Sequence, residues 1–257
     1  MEYLMPRAAH IKSSTGIYHI ITRGINQQNI FSSDDDYERF LNTLTRYCRK
    51  STCEIYAYCL MDNHIHLLLK EGQEPLATTI KKIGTSYVYY YNWQYNRKGH
   101  LFQDRYKSEP VEDDGYFLTV LRNIHLNPQK AELTDDLSSY PYSSYTEYTD
   151  KVKITDTSFA ISLFNQDEDK AIEEFIKFHN QPNDDHCLDI TEKRNTFSDK
   201  MIRQLVSKNY HLELAALSHT KPETQKKVIK HLKKLNGCSL RQLARLTGLK
   251  VNLIVRV

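Results

Sequence analysis

Two apolar runs, 53–60 and 65–69, are separated by only a few residues around Asp62 and Asn63, a spacing that predicts an antiparallel hairpin. Similar signals flank it on both sides. Upstream, residues 16–22 (Gly-Ile-Tyr-His-Ile-Ile-Thr) are rich in β-branched and aromatic side chains and predict a strand. Residues 33–50 then predict a helix, with Ser33 and three aspartates at its start and Tyr37, Phe40, Leu41, Leu44 and Tyr47 recurring at helical spacing. Downstream, 75–96 reads as a helix through Ile80, Ile83, Tyr87, Tyr91 and Tyr95, although so many aromatics also suit a strand. Residues 106–112 predict a fourth strand, with Pro110 marking an edge or bulge, and 116–127 a helix that Pro128 ends. The order β-α-β-β-α-β plus a helix predicts an α+β fold: a ferredoxin-like antiparallel sheet with helices on one face.

The chain of 257 residues carries 26% charged side chains and 40% hydrophobic ones, which excludes collagen-like and wholly disordered classes. No apolar run is long enough for a transmembrane helix, and the first residues lack a signal-peptide pattern. Five cysteines without a C-x-x-C pair suit a reducing compartment, so a cytoplasmic location and no membrane partner are expected. Charge divides the chain more sharply than the net +3 suggests. Residues 1–150 carry −3, 151–200 carry −4 and 201–257 carry +10. The expected organisation is a domain over 1–150, an acidic connecting region over 151–198, and an all-α module over 199–257 whose basic character suits a polyanion.

Within that last module, 223–235 and 239–247 read as helices, Gly248 as a break and 249–257 as a further helix. Three short helices with a glycine turn before the last form a helix-turn-helix pattern. The basic residues Lys233, Lys234, Arg241, Arg245, Lys250 and Arg256, with Lys226, Lys227 and Lys230, would then face duplex DNA. An ordinary three-helix module with a basic coat is the alternative.

The sharpest local feature is Asn63-His64-Ile65-His66. On a strand, His64 and His66 share a face about 7 Å apart, while Ile65 and Leu67 face the core. Two adjacent imidazoles can bind one divalent metal if a third ligand joins them, although paired surface histidines are the commoner case. The helix after the fourth strand places Tyr116, Asn123 and Asn127 on one stripe. Asn127 either joins the histidines or caps the helix end before Pro128.

With these residues in view, the sequence resembles the single-tyrosine HUH transposases of bacterial insertion sequences, and among them the REP-associated tyrosine transposases. The resemblance runs from Met5-Pro-Arg through Tyr18-His-Ile-Ile-Thr-Arg-Gly, Asn63-His-Ile-His-Leu-Leu-Leu, Gly99-His-Leu-Phe-Gln-Asp-Arg-Tyr-Lys-Ser and Ile124-His-Leu-Asn-Pro to Tyr140-Pro-Tyr-Ser-Ser-Tyr. It implies a divalent metal, Mg or Mn, on His64, His66 and Asn127. It also implies a single-stranded hairpin DNA substrate, cut through a covalent 5′-phosphotyrosine that forms as a 3′-hydroxyl leaves. The attacking tyrosine of the family would stand four residues before Asn127, where this chain has Asn123. A carboxamide has no ionisable oxygen and cannot replace a phenolate. Tyr116 is the nearest tyrosine on the stripe, about 10 Å away along the helix. The resemblance therefore implies a transposase-type DNA-binding protein deficient in cleavage, with a non-catalytic regulatory protein on the same scaffold as the alternative. Arg23, Arg105 and Lys107 lie in the resembling blocks and are expected phosphate contacts. The bacterial family implies a nucleoid-associated location and allows either a monomer or a homodimer.

Overall fold

The computed structural model describes residues 10–188, 199–210, 212–234, 240–249 and 253–254. The first unit holds four strands: β1 (Ile17–Arg23), β2 (Glu54–Met61), β3 (His64–Lys70) and β4 (Lys107–Val111). They form one antiparallel sheet in the order β2-β3-β1-β4, the ferredoxin-like topology. The β2–β3 hairpin turns at Asp62 and Asn63. Pro110 falls in the edge strand β4, where a missing N–H costs no central ladder bond.

The two crossover helices, α1 (Asp34–Ser51) and α2 (Leu76–Gln94), pack on one face of this sheet, as expected. Ser33 and Asp36 form a capping box at the start of α1. The core beneath them joins Tyr18, Ile20, Ile65 and Leu67 of the sheet to Phe40, Leu44, Ile83 and Tyr87. The aromatics of 75–96 are helical because they divide by face: Tyr87 and Tyr91 are buried, and Tyr89 and Trp93 point to solvent.

The opposite sheet face is also covered, which corrects the expectation of helices on one face only. Ile17, Ala57, Cys59, Leu68 and Val111 there meet α3 (Asp114–His125), reinforced by the short α4 (Asn127–Lys130) and α5 (Tyr145–Thr149). Residues 151–188 are likewise not a bare connector. Their α6 (Ser158–Ser162) and α7 (Glu168–Asn180) bury Ala160 and Phe175 in the same core, and the first compact unit runs to residue 189. The acidic composition misled because the charges of α7 lie on its solvent side while Ala171, Phe175 and His179 face inward.

The outer edge of β2 is closed by later chain. Ser144 exchanges bonds with Tyr58, Leu60 N–H donates to the Tyr142 carbonyl (2.9 Å), and the Tyr148 hydroxyl donates to the Tyr56 carbonyl (2.7 Å). Behind this edge, a buried chain joins His179 to His125 (3.0 Å) and His125 to the Ser144 hydroxyl (2.8 Å), tying α7, α3 and β2 together.

The second unit packs α8 (Asp199–Tyr210), α9 (Pro222–Lys234) and α10 (Leu240–Thr247) around Ile202, Val206, Val228, Leu232, Leu243 and Leu246. Gly248, at φ +70°, ends α10 as expected, its N–H donating to the Ala244 carbonyl (3.0 Å). The helix expected over 249–257 lies mostly outside the described residues. No helix among the described residues is long and apolar enough to cross a membrane.

Burial lowers the pKa of His179 to about 4 and holds His125 well below the ordinary histidine range, so both stay neutral in the fold. The unfolded chain binds these protons near pH 6.5. Stability is therefore full above that pH and falls as pH drops toward 4, at roughly 1.4 kcal/mol per pH unit for each such group. Urea unfolding across pH 7 to 4.5 should show this loss, and a shallower one in His179→Gln. A slope unchanged by that substitution refutes the assignment.

Candidate functional site

Strand register decides which side chains meet. In the β1–β3 ladder Arg23 lies opposite His64, Ile21 opposite His66 and His19 opposite Leu68. β4 adds Lys107 beside Ile21 and Glu109 beside His19, and β2 adds Met61 beside His64 and Cys59 beside His66. Because alternate residues share a face, His64, His66, His19, Arg23, Lys107 and Glu109 all lie on the sheet face that carries α3. Ile65 and Leu67 face the other core, as the spacing predicts.

The two histidines differ in environment. His66 is fully buried and His64 half-buried, with ring centroids 5.1 Å apart. His66 Nδ1 lies 3.4 Å from Nε2 of His19, itself fully buried, and burial lowers His19 to a pKa of about 3. His66 is held well below the ordinary histidine range by burial and by the charges of His19, His64 and Lys130. Both rings are thus neutral near pH 7, the state in which imidazole ligates metal. His66 Nε2 and His19 Nδ1 are buried without a hydrogen-bond partner among the described residues. His64 Nδ1 lies 2.7 Å from Asn63 Oδ1, an orienting bond of the type that fixes the tautomer of a metal-binding histidine.

Asn127 stands where α3 gives way to α4, and its amide nitrogen donates to the carbonyls of Asn123 (2.9 Å) and Ile124 (3.4 Å). It does cap the helix end, and the cap leaves its Oδ1 as the atom with ligating chemistry. The two readings of Asn127 use different atoms of one side chain. α3 packs against β2 and β3, and Lys130 in the next turn is near enough to His66 to disfavour its protonation. No group of three His, Cys, Asp or Glu among the described residues is arranged to hold a metal ion.

Asn123 is buried one turn before Asn127. Its neighbour Arg122 is clamped: Nε and Nη2 donate to the two Asp185 oxygens at 2.7 Å each, Nη1 donates to the Phe178 carbonyl, and the guanidinium lies 3.9 Å from the Phe178 ring centroid. This fork pins residues 181–188 across α3. Tyr116 does not serve the site as a free phenol. Its hydroxyl donates to Glu109, which also accepts from Leu188 N–H (2.9 Å), and burial together with that carboxylate pushes the Tyr116 pKa up.

The expected phosphate contacts separate. Arg23 and Lys107 lie on the histidine face, with Arg23 Nε donating to Gln103 (2.6 Å). Arg105 lines a cavity of about 470 Å³ on the side of α1 and α2, beside Phe40 and Ile83, away from the histidines. In the second unit Lys233 Nζ donates to the Ile254 carbonyl (3.2 Å) and Arg245 pairs with Asp199 (2.8 Å). Lys250 and Arg256, and the side chains of Lys234 and Arg241, lie outside the described residues. His19, Glu109 and the Arg122–Asp185 clamp escaped sequence reasoning. His19 alone had a signal, since strand parity puts it on one face with Ile17 and Ile21.

Residues 12–127 match the family described as "Transposase IS200 like". A Haemophilus influenzae protein named "Putative REP-associated tyrosine transposase" is 28% identical over 116 residues, which cover 39% of this chain and 66% of that protein, just under two thirds of its length. A solved structure of a REP-associated tyrosine transposase bound to a REP hairpin superposes with a TM-score of 0.48 at 16% identity, covering 60% of this chain and 94% of that one.

Tyr116→Phe removes a donor from Glu109 and should lower unfolding stability by about 1–2 kcal/mol in urea titrations. A stability equal to the parent chain contradicts the structural role of this phenol.

Proposed function

We propose that the chain, whose residues 12–127 match the family described as "Transposase IS200 like", binds hairpin-forming single-stranded DNA on the α3 side of its sheet without cleaving it. The observation that carries this reading is the Nε2 of His66, buried without a hydrogen-bond partner among the described residues, beside His64 on the sheet face that α3 packs against. His64, His66 and the Asn127 oxygen are a donor set suited to Mg or Mn, and they are the residues that would hold such an ion. When bound, a divalent cation supplies Lewis-acid polarisation of a phosphoryl oxygen.

The chain's own residues do the rest. His19 and Asn63 hold the two imidazoles through their Nδ1 atoms, and the cap to Asn123 fixes the Asn127 amide. Arg23 and Lys107 provide positive charge on the same face for the phosphates that flank a bound nucleotide. At the family's nucleophile position Asn123 offers an amide that cannot attack phosphorus. DNA capture and strand cleavage are therefore separated in this chain, which suits a binding or regulatory role on a transposase scaffold.

The second unit extends the reading to duplex DNA. Along α9, Val228, Ile229 and Leu232 are buried while Lys226, Lys227 and Lys230 are exposed, and α10 follows it. We assign α9 and α10 to a helix-turn-helix module whose basic residues meet phosphates.

Two measurements test the central claim. Incubated with a hairpin single strand and Mn²⁺, the parent chain should give no covalent protein–DNA band on a denaturing gel, whereas Asn123→Tyr should give one. A band from the parent chain refutes cleavage deficiency. In calorimetric titrations of the DNA-free chain, His64→Ala and Asn127→Ala should each weaken Mn²⁺ binding by about tenfold or more, the range typical of disturbed metal sites. Unchanged affinity in both variants excludes this ligand set.

A further inference from the structure

We propose that the outer face of α2 is a second nucleic-acid surface, on which Tyr89 and Trp93 stack the unpaired bases of a single strand. The choice of occupant rests on the DNA-binding reading above; the surface itself belongs to a different part of the molecule. α2 packs on the sheet face opposite the histidines, through Leu76, Ile83, Tyr87 and Tyr91. Its outward stripe runs Ala77, Lys81, Thr85, Tyr89, Trp93, each step four residues or about 6 Å along the helix. The last two are exposed to 78% and 74%, and neither ring stacks on another aromatic side chain among the described residues. Two adjacent aromatics on one solvent-facing turn are unlike the scattered exposed Ile11, Leu133 and Val152, which need no partner.

Charge selects the occupant. From residue 75 to residue 103 the chain has no Asp or Glu, while it has Lys81, Arg97 and Lys98, and Lys82, which pairs with Glu74. Around the aromatic end, Arg97 lies 5.5 Å from the Tyr91 ring and Arg39 of α1 lies 5.3 Å from the Tyr90 ring. Of the carboxylates near this end, Asp36 is fully buried and already accepts from the Tyr90 and Tyr95 hydroxyls, while Asp35 is exposed close to Tyr90. Aromatic faces flanked by cations are the recognition chemistry of sequence-tolerant single-strand binding. A second copy of the chain fits less well, because a two-fold contact would set the same cationic patch against itself.

Trp93 is the single tryptophan of the sequence, so its fluorescence reports on this surface alone. The full-length chain is titrated with a labelled oligothymidine strand, which forms no hairpin, and separately with a hairpin strand. Oligothymidine should quench Trp93. By anisotropy, Tyr89→Ala and Trp93→Ala should each weaken oligothymidine binding by about tenfold, and Trp93→Phe should stay within about threefold of the parent. Binding that survives both alanine variants undiminished, with no quenching, overturns this surface and leaves the histidine site standing if the hairpin still binds. A parent chain that binds neither strand overturns the DNA reading as well. Concentration-dependent dimers that Trp93→Ala disperses would identify a protein interface instead and overturn the proposal.

Discussion

The pairing register of β1 with β3 is the constraint on which the site depends. With Ile21 opposite His66 and Arg23 opposite His64, both imidazoles point toward α3. A slip of one residue would turn them into the core beneath α1 and α2 and expose Ile65 and Leu67 to the other side. That outcome is blocked by apolar packing, since Ile65, Leu67 and Leu69 fit among Phe40, Leu44 and Ile83. The two-residue turn at Asp62 and Asn63 adds a local lock: Gly24 N–H donates to the Asn63 carbonyl (2.9 Å), and a Cβ on Gly24 would stand 2.2 Å from the Gln28 carbonyl oxygen. Ligand-type residues are thus aimed by hydrophobic burial on the face they do not touch.

Once the sheet is set, α3 must be held against it in one rotation. Three polar devices act along its length. Near its start Tyr116 reaches Glu109 of β4, in the middle Arg122 is gripped by Asp185, and at the end His125 joins Ser144 and His179. The polar groups of these three devices are each paired, and together they favour one arrangement of the helix over its slipped neighbours. The contribution of residues 151–188 follows from this. They supply Asp185 and His179, so the acidic stretch that composition marks as a connector helps to position the Asn123–Asn127 turn.

Much of this was legible in the sequence because the responsible signals are local. Alternation and a two-residue turn defined the β2–β3 hairpin, helical spacing defined α1 and α3, and the interval between His64 and His66 fixed their common face. What was not legible depends on contacts between distant residues. Nothing in residues 151–188 indicates that Phe175 and Ala160 complete the core below α3. Nothing near Tyr116 announces Glu109 as its partner. Arg105 and Lys107 differ by only two positions, yet one lines the cavity beside Phe40 and the other lies on the histidine face, since the strand begins between them.

Asn123 gives the arrangement its functional sense. Phosphate binding in such a site draws on ligand geometry, neutral imidazoles and flanking cations, and none of these involves the residue one turn before Asn127. On the proposed reading, an amide at Asn123 removes the covalent step while leaving the groups proposed to hold DNA. A buried imidazole with a nitrogen unpartnered among the described residues is a feature that a purely structural core would replace at a gain in stability. His66 Nε2 remains in that state, with His19 behind it and the Asn127 amide still held by its cap. Costly polar groups around an amide at position 123 are what the proposed binding without cutting requires.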